Sequence, residues 1–349
     1  MGNQHLNKVR ETPRDELYTL LSDIEKEVSN YDLKGKVVYC NCDGSKSAFY
    51  RFFVAHYHEL GLAGLIVSEY VSQQMDIFRE EPMPAKYVLY DGRTMITRYL
   101  EGDGDFRSAE CMDLMRRCDV VITNPPFSLF REFLSVLHKW DKEFLIVGPL
   151  NAAGYGEVFP LLMSGKMWLG VNRVPEFETD CNDKIKMGNV NWFTNLEHGV
   201  RATPLELTAR YKGNEDKYPR YDNYDAIEVS SLKDIPCDYA GAMGVPVTFL
   251  YHWNPDEFEL LGITKRPDAS ISGMVVKRVM EPTRYYTGYY RMYSDGSKES
   301  RARPDNRNAV LLGRGRNGQY WINDSGRSVY PVFNRVFVRN LNLWGNELS

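Results

Sequence analysis

Asp119-Val120-Val121-Ile122-Thr123-Asn124-Pro125-Pro126-Phe127 is the stretch on which the reading of the fold turns. Val120 to Ile122 form a short β-branched apolar run, the pattern of a buried parallel strand. Two consecutive prolines end it, because neither can donate to a sheet ladder. Downstream, Phe130, Phe133, Leu134 and Leu137 fall at i, i+3, i+4 and i+7, with Ser128 placed to cap the helix they predict. Asn124 to Phe127 therefore form a rigid turn at the carboxyl end of a sheet strand, where open α/β sheets bind their ligands.

Such a turn suits transfer of a group to an exocyclic or amide nitrogen. The lone pair of that nitrogen is delocalised, which makes it a poor nucleophile. Hydrogen bonds from one NH2 to the Asn124 side-chain oxygen and the Pro125 carbonyl hold the nitrogen closer to tetrahedral and free the lone pair for in-line attack. Pro125 and Pro126 carry no competing N–H, and Phe127 offers a face on which a flipped base stacks.

Upstream, residues 12–30 read as an amphipathic helix, with Thr12 at its cap, Pro13 in its first turn and Leu17, Leu21, Ile24 and Val28 as its apolar stripe. Val37 to Cys40 reads as a strand and 41–45 as a polar turn. Phe49, Phe52, Phe53, His56 and Leu60 then mark the inner face of a helix closed by Gly61. Leu65 to Val67 is the next strand. Together these make a βαβ unit of a doubly wound sheet, with the 41–45 turn placed for a cofactor. Lys86 to Tyr90 and Phe144 to Val147 predict further strands, and shorter ones continue to about residue 195. In the acidic turn 101–106, Asp105 is placed to accept a hydrogen bond from an adenine amino group of a cofactor, with Phe106 packing on the ring.

A chain of 349 residues has room for one large domain or two, and 43% hydrophobic content is ordinary for a globular protein. No basic-then-apolar leader opens the sequence, and no apolar run approaches the ~20 residues of a membrane span. A cytoplasmic protein is expected. Six cysteines without a Cys-x-x-Cys pair predict neither a disulfide framework nor a metal site. The net charge of −4 excludes a uniformly basic nucleic-acid binder, but its distribution is uneven. Residues 262–349 carry 15 Lys/Arg against 7 Asp/Glu, a balance of +8, whereas the remainder carries 28 against 40, or −12. Arg301, Arg303 and Arg307 stand among glycines and tyrosines in this β-type, turn-rich tail, a composition suited to phosphates and base edges.

These pieces resemble the adenine-specific DNA methyltransferases of the EcoRI methylase family. The likeness runs from about residue 14 to the end. It rests on Asp15 to Thr19, Val37 to Asp43, Gly104 to Ser108, Asn124 to Phe133, Trp192 to Asn195, Tyr221 to Ile227 and Met243 to Leu250. It implies an α/β fold: a Rossmann-like, mixed seven-stranded S-adenosylmethionine methyltransferase sheet, then a smaller β-rich basic target-recognition region. On that pattern, 1–30 is a helical segment contributing to the cofactor site, 31–200 the catalytic domain and 201–349 the DNA-binding region. Tyr18, Thr19, Asn41 and Asp43 would meet the methionine end of S-adenosylmethionine, and Asp105 and Phe106 its adenine. Trp192 and Asn195 would fall on the substrate side. The activity implied is site-specific methylation of N6 of an adenine flipped from double-stranded DNA. It needs no metal, and a cognate restriction endonuclease would act on the same site without being a bound subunit. An RNA adenine or a protein glutamine as acceptor, or an inactive DNA-binding relative, are the alternatives. Two features depart from the family: Asp43-Gly44-Ser45 lacks a Gly-x-Gly, and the tail between 281 and 318 is longer and richer in arginine.

Overall fold

The computed structural model of the protein describes residues 17–41, 43–44, 47–71, 84–179, 183–218, 220, 225–263 and 335–344, together with the backbone of five short strands between 285 and 331. They fall into two compact units: the described residues up to Val158 with Lys166–Gly199, and Phe159–Gly165 with the described residues from Val200 onward.

The first unit opens with β1 (Tyr18–Thr19), α1 (Leu21–Val28), β2 (Val37–Cys40), α2 (Ala48–Ala55) and β3 (Gly64–Ser68). A hairpin, β4 (Lys86–Tyr90) and β5 (Met95–Tyr99), precedes α3 (Ala109–Arg116) and β6 (Val120–Thr123). Next come α4 (Phe130–Lys139) and β7 (Glu143–Pro149), then, past α5 (Phe159–Met163) of the second unit, β8 (Trp168–Arg173). β9 (Glu176–Glu178), β10 (Lys184–Lys186) and β11 (Val190–Thr194) complete it. Its main sheet has the order β5-β4-β3-β2-β6-β7-β11-β8. The four central strands run parallel and the flanking pairings are antiparallel. This is the Rossmann-like mixed sheet that was expected, with eight strands in place of seven. The strand unforeseen in the sequence is β5, whose five residues are all exposed. With no buried face it carries no apolar alternation; its hairpin is set by Asp91, whose side chain accepts from the N–H groups of Thr94 (2.6 Å) and Arg93 (2.9 Å).

Side chains alternate across the sheet. Val38, Val120, Ile122, Leu145, Val147 and Trp192 join Phe49, Phe52 and Phe53 of α2 and Ile24 and Val28 of α1 in one core. On the opposite face α4 lies so close that a Cβ at Gly148 would stand 2.2 Å from the Phe130 ring, so only glycine fits there. Phe130, Phe133, Leu134 and Leu137 are all buried, as their spacing predicts, each stabilising the packing by about 1.5–3 kcal/mol. This pins the helix that follows the Asn-Pro-Pro-Phe turn.

Two expectations need correction. The helix expected over 12–30 is confined to Leu21–Val28, because Tyr18 and Thr19 pair antiparallel with Glu178 and Phe177 as strand β1. An aromatic and a β-branched residue facing a strand edge favour extension over helix. Leu21 is 41% exposed, and Thr12 and Pro13 lie outside the described residues. Ser128 does not cap α4. Phe127–Leu129 forms a single 3-10 turn closed by the Leu129 N–H on the Pro126 carbonyl (2.9 Å), and the helix begins only at Phe130.

The second unit is built on β12 (Ala226–Glu228), β13 (Ala242–Pro246), β14 (Phe258–Ile263) and, after short strands β15 to β19 (Tyr285–Tyr286, Tyr289–Met292, Lys298–Arg301, Trp321–Ile322, Ser328–Pro331), β20 (Arg335–Asn340) with α6 (Leu341–Trp344). The sheet order is β12-β13-β20-β14. Arg335 bridges to Glu228 across it (Nε to Oε1, 2.7 Å), an ion pair with both side chains buried. Among the described residues no helix is long and apolar enough to cross a membrane, and no cluster of His, Cys, Asp or Glu could hold a metal ion.

Candidate active site at the switch point of the sheet

From β2 the chain crosses to β3 on one side and returns to β6 on the other, so the strand order reverses between β2 and β6. At such a switch point the loops leaving adjacent carboxyl ends diverge and open a crevice. One lip is the turn after β2, with Asn41 and Asp43. The other is the end of β6, with Thr123 and Asn124.

Asn124 is half-buried and held by its own amide: Nδ2 donates to the Leu17 carbonyl at 2.8 Å. That bond sets the orientation of the side chain. Its Oδ1 is buried and accepts no hydrogen bond among the described residues. A buried amide oxygen without a donor is unfavourable by about 1–3 kcal/mol, an arrangement that persists where a ligand supplies the donor. Pro125 is buried beneath it and Pro126 is exposed. Phe127 is half-buried, its ring edge-on to Phe177 at 6.0 Å.

On the other lip, Asn41 is fully buried, its Nδ2 donating to the Tyr39 hydroxyl (2.7 Å) and to Ser68 Oγ (3.2 Å). The N–H of Asp43 meets the Ser68 carbonyl at 2.9 Å, which ties the turn to the end of β3. Thr123 Oγ1 lies 2.5 Å from both the Asn41 carbonyl and Asp43 Oδ2, joining the two lips. Burial pushes the Asp43 carboxyl up to about 8, against the pull of the Thr123 hydrogen bond, and no cationic side chain among the described residues contributes to its shift.

A third strand end adds Asp105. Gly104 has φ +83° and a Cβ there would stand 2.0 Å from the Glu69 carbonyl, so glycine alone lets the 101–106 turn lie against the end of β3. Asp105 is gripped by Arg107, Nε to Oδ1 at 2.9 Å and Nη2 to Oδ2 at 2.6 Å, and this hydrogen-bonded guanidinium holds its carboxyl below the usual range. It is an ionised acceptor at neutral pH. Phe106 is 2% exposed and packs edge-on to Phe133 at 5.0 Å, so it forms the floor of this turn and not an open platform.

The other residues expected in the site divide between the crevice and the rest of the fold. Tyr18 and Thr19 follow the Leu17 carbonyl that holds Asn124, which brings them to the crevice; Thr19 Oγ1 is buried without a partner among the described residues. Trp192 does not face a substrate: it is 0% exposed, edge-on to Phe49 in the core. Asn195 accepts from the Phe144 N–H (2.8 Å) and donates to the Lys142 carbonyl (3.0 Å), fastening the start of β7. β11 runs antiparallel to β7 and ends at Thr194, which pairs with Leu145 and so lies level with Ile122, two residues or roughly 7 Å below Asn124. That inversion is invisible in the sequence. Arg301 ends β17, and Arg303 and Arg307 lie outside the described residues. Thr123 and the Leu17 carbonyl were not foreseen: a strand-ending threonine and a backbone oxygen carry no sequence signal.

Comparison with known proteins agrees with this geometry. The family model described as adenine-specific methyltransferase EcoRI matches residues 5–300, a match that stops short of Arg301 and the rest of the basic tail. The Type II methyltransferase M.EcoRI of Escherichia coli is 42% identical over 304 residues, covering 78% of this chain and 93% of that protein. M.MpnI of Mycoplasma pneumoniae, also a Type II methyltransferase, is 38% identical over 290 residues, covering 76% and 88%. No solved structure matches. A crevice at the switch point, an Asn-Pro-Pro-Phe turn whose amide oxygen has no partner among the described residues and a family match over most of its length lead to one conclusion: this chain belongs to the EcoRI family of adenine-specific methyltransferases, enzymes that require a methyl donor.

Proposed function

We propose that the chain transfers a methyl group from S-adenosylmethionine to N6 of an adenine at a specific site in double-stranded DNA. The observation that carries this reading is the buried Asn124 Oδ1, unpartnered among the described residues, on the lip joined by Thr123 to Asp43. An adenine flipped out of the duplex presents one NH2. Asn124 Oδ1 and the Pro125 carbonyl accept its two N–H groups, Pro126 keeps the turn rigid, and Phe127 stacks on the base. Holding N6 this way localises its lone pair, so no covalent nucleophile is needed, and the surplus proton leaves to solvent.

The site's residues fit a cationic donor. Asp43 is a half-buried carboxyl to whose shift no cationic side chain among the described residues contributes, and Asp105 is an ionised acceptor. Tyr18, Thr19, Asn41 and Asp43 would hold the methionine end, and Asp105 the adenine amino group, above the floor formed by Phe106. Such a donor supplies a methyl group made electrophilic by a positively charged sulfur. Residues 31–200 carry the chemistry, 1–30 contribute to the cofactor site, and 201–349, with Arg301, Arg303 and Arg307, read the target. The enzyme works in the cytoplasm of a bacterial cell or phage-infected host. A restriction endonuclease for the same site, where one accompanies it, acts as a separate protein.

Nucleoside mass spectrometry after incubation with S-adenosylmethionine and unmethylated DNA tests this. N6-methyladenine on DNA and none on RNA is the expected result. Methylated RNA or protein glutamine with unmodified DNA would overturn the acceptor, and absence of donor binding would favour an inactive DNA-binding relative.

A further inference from the structure

We propose that Thr123 is a positioning residue for the transfer: its hydroxyl couples the charge of the Asp43 carboxyl to the strand end that carries Asn124. The inference rests on the roles given above to Asp43 and Asn124. Thr123 is fully buried, and its Oγ1 is 2.5 Å from the Asn41 carbonyl and 2.5 Å from Asp43 Oδ2. A hydroxyl has one proton and a carbonyl has none, so the two contacts are both satisfied in full only when the carboxyl brings a proton of its own. With Asp43 protonated, Asp43 donates to Thr123 and Thr123 donates to Asn41. With Asp43 ionised, its proton has gone to solvent, the Thr123 proton turns to the carboxylate, and the Asn41 carbonyl loses that donor. The hydroxyl thus has two settings, chosen by the charge on Asp43.

The surroundings make the choice matter. The Asn41 side chain beside that backbone carbonyl is held by the Tyr39 hydroxyl and Ser68 Oγ, which are themselves 2.8 Å apart. Among the described residues, the titratable groups near Asp43 are Cys40 at the end of β2 and Glu69 beyond β3, whose Cβ is 3.4 Å from where a Gly44 side chain would begin. Neither brings positive charge. Burial favours the protonated setting in the ligand-free enzyme, and a cationic donor favours the ionised one. Thr123 is joined to Asn124 by a peptide bond, so donor binding resets the strand end just before the residue that holds the acceptor nitrogen.

The test uses the full-length enzyme. Thr123→Val keeps the shape of the side chain and removes the hydroxyl, whereas Thr123→Ser keeps the hydroxyl. Donor affinity is measured by calorimetry from about pH 6 to 9, and single-turnover methylation on duplex DNA at one pH. In the wild type, affinity should climb with pH toward the Asp43 midpoint of about 8. Thr123→Val should move that climb to higher pH, since the hydrogen bond it removes is the one that lowers the midpoint. It should also slow single turnover at least about tenfold, or ~1.4 kcal/mol, with KM for DNA unchanged, and Thr123→Ser should restore both. A Val variant that only melts earlier, with the pH profile and turnover of the wild type, overturns the inference, as does a Ser variant that fails like Val. Should the Val variant not fold, the wild type alone decides. Calorimetry in buffers of different ionisation enthalpy should register about one proton released on donor binding near pH 7, and no release overturns the coupling. A wild type that binds no donor at any pH overturns the role of Asp43 itself, a failure distinct from a wild type that binds and releases no proton.

Discussion

Asn124→Ala separates stability from catalysis in a way no ordinary core substitution does. The substitution deletes one hydrogen bond, Nδ2 to the Leu17 carbonyl at 2.8 Å, whose net worth is about 0.5–1.5 kcal/mol. It also deletes a buried oxygen that has no partner among the described residues, relieving about 1–3 kcal/mol of desolvation cost. The two nearly cancel, so the variant should unfold within about 1 kcal/mol of the wild type, and on the stable side if the second effect is larger. Transfer should fall by about 10²–10³, the scale of losing one aimed polar group in an active site. Donor affinity should hold, because Asp43 and Asp105 are untouched. Chemical denaturation, single-turnover methylation and a donor titration on the same preparation measure all three. A variant that methylates within tenfold of the wild type refutes the role of Asn124. A loss of more than about 2 kcal/mol refutes the idea that Oδ1 is kept for a ligand.

The Asp43 carboxyl makes the ligand-free fold pH-sensitive. Its midpoint is raised from 3.8 to about 8, so the stability it contributes is full below pH 3.8 and lost as pH rises through about 8. Asp43→Asn should therefore melt at a higher temperature than the wild type near pH 9 and not near pH 4, while binding the donor more weakly; equal melting differences at both pH values would sink the assignment. Replacing Arg301, Arg303 and Arg307 by alanine should lower the salt slope of DNA binding by about 0.9 for each phosphate their guanidiniums neutralise, and an unchanged slope removes the tail from the interface. Arg335→Ala leaves Glu228 buried without its guanidinium, which should destabilise the second unit by about 3–5 kcal/mol. A loss under about 1 kcal/mol in denaturant unfolding would show that the pair is not desolvated as the geometry indicates.

What was legible in the sequence was local. The run from Val120 to Phe127 and the spacing of Phe130, Phe133, Leu134 and Leu137 placed the strand, the turn and the helix, because burial on a strand or a helix face leaves a period in the chain. β2, β3 and β4 were legible for the same reason. β5 was not, having no buried side, and neither was the true start of α1, where pairing with β9 outweighed helical spacing.

Trp192 and Asn195 show where motif position misleads. Although they are the two ends of a matched stretch, they lie in the core and near the start of β7, because β11 is inverted relative to its neighbour. The sequence alone determined the reaction class, through Asn124 to Phe127, and the α/β architecture that presents them. Only the tertiary structure decided which groups gather at the strand end that carries Asn124. Leu17, Asn41, Asp43 and Thr123 come from three separate strand ends, and a single hydroxyl proton links two of them. Such contacts depend on strand order and register across a sheet, which local periodicity cannot encode because it reports burial and not neighbours.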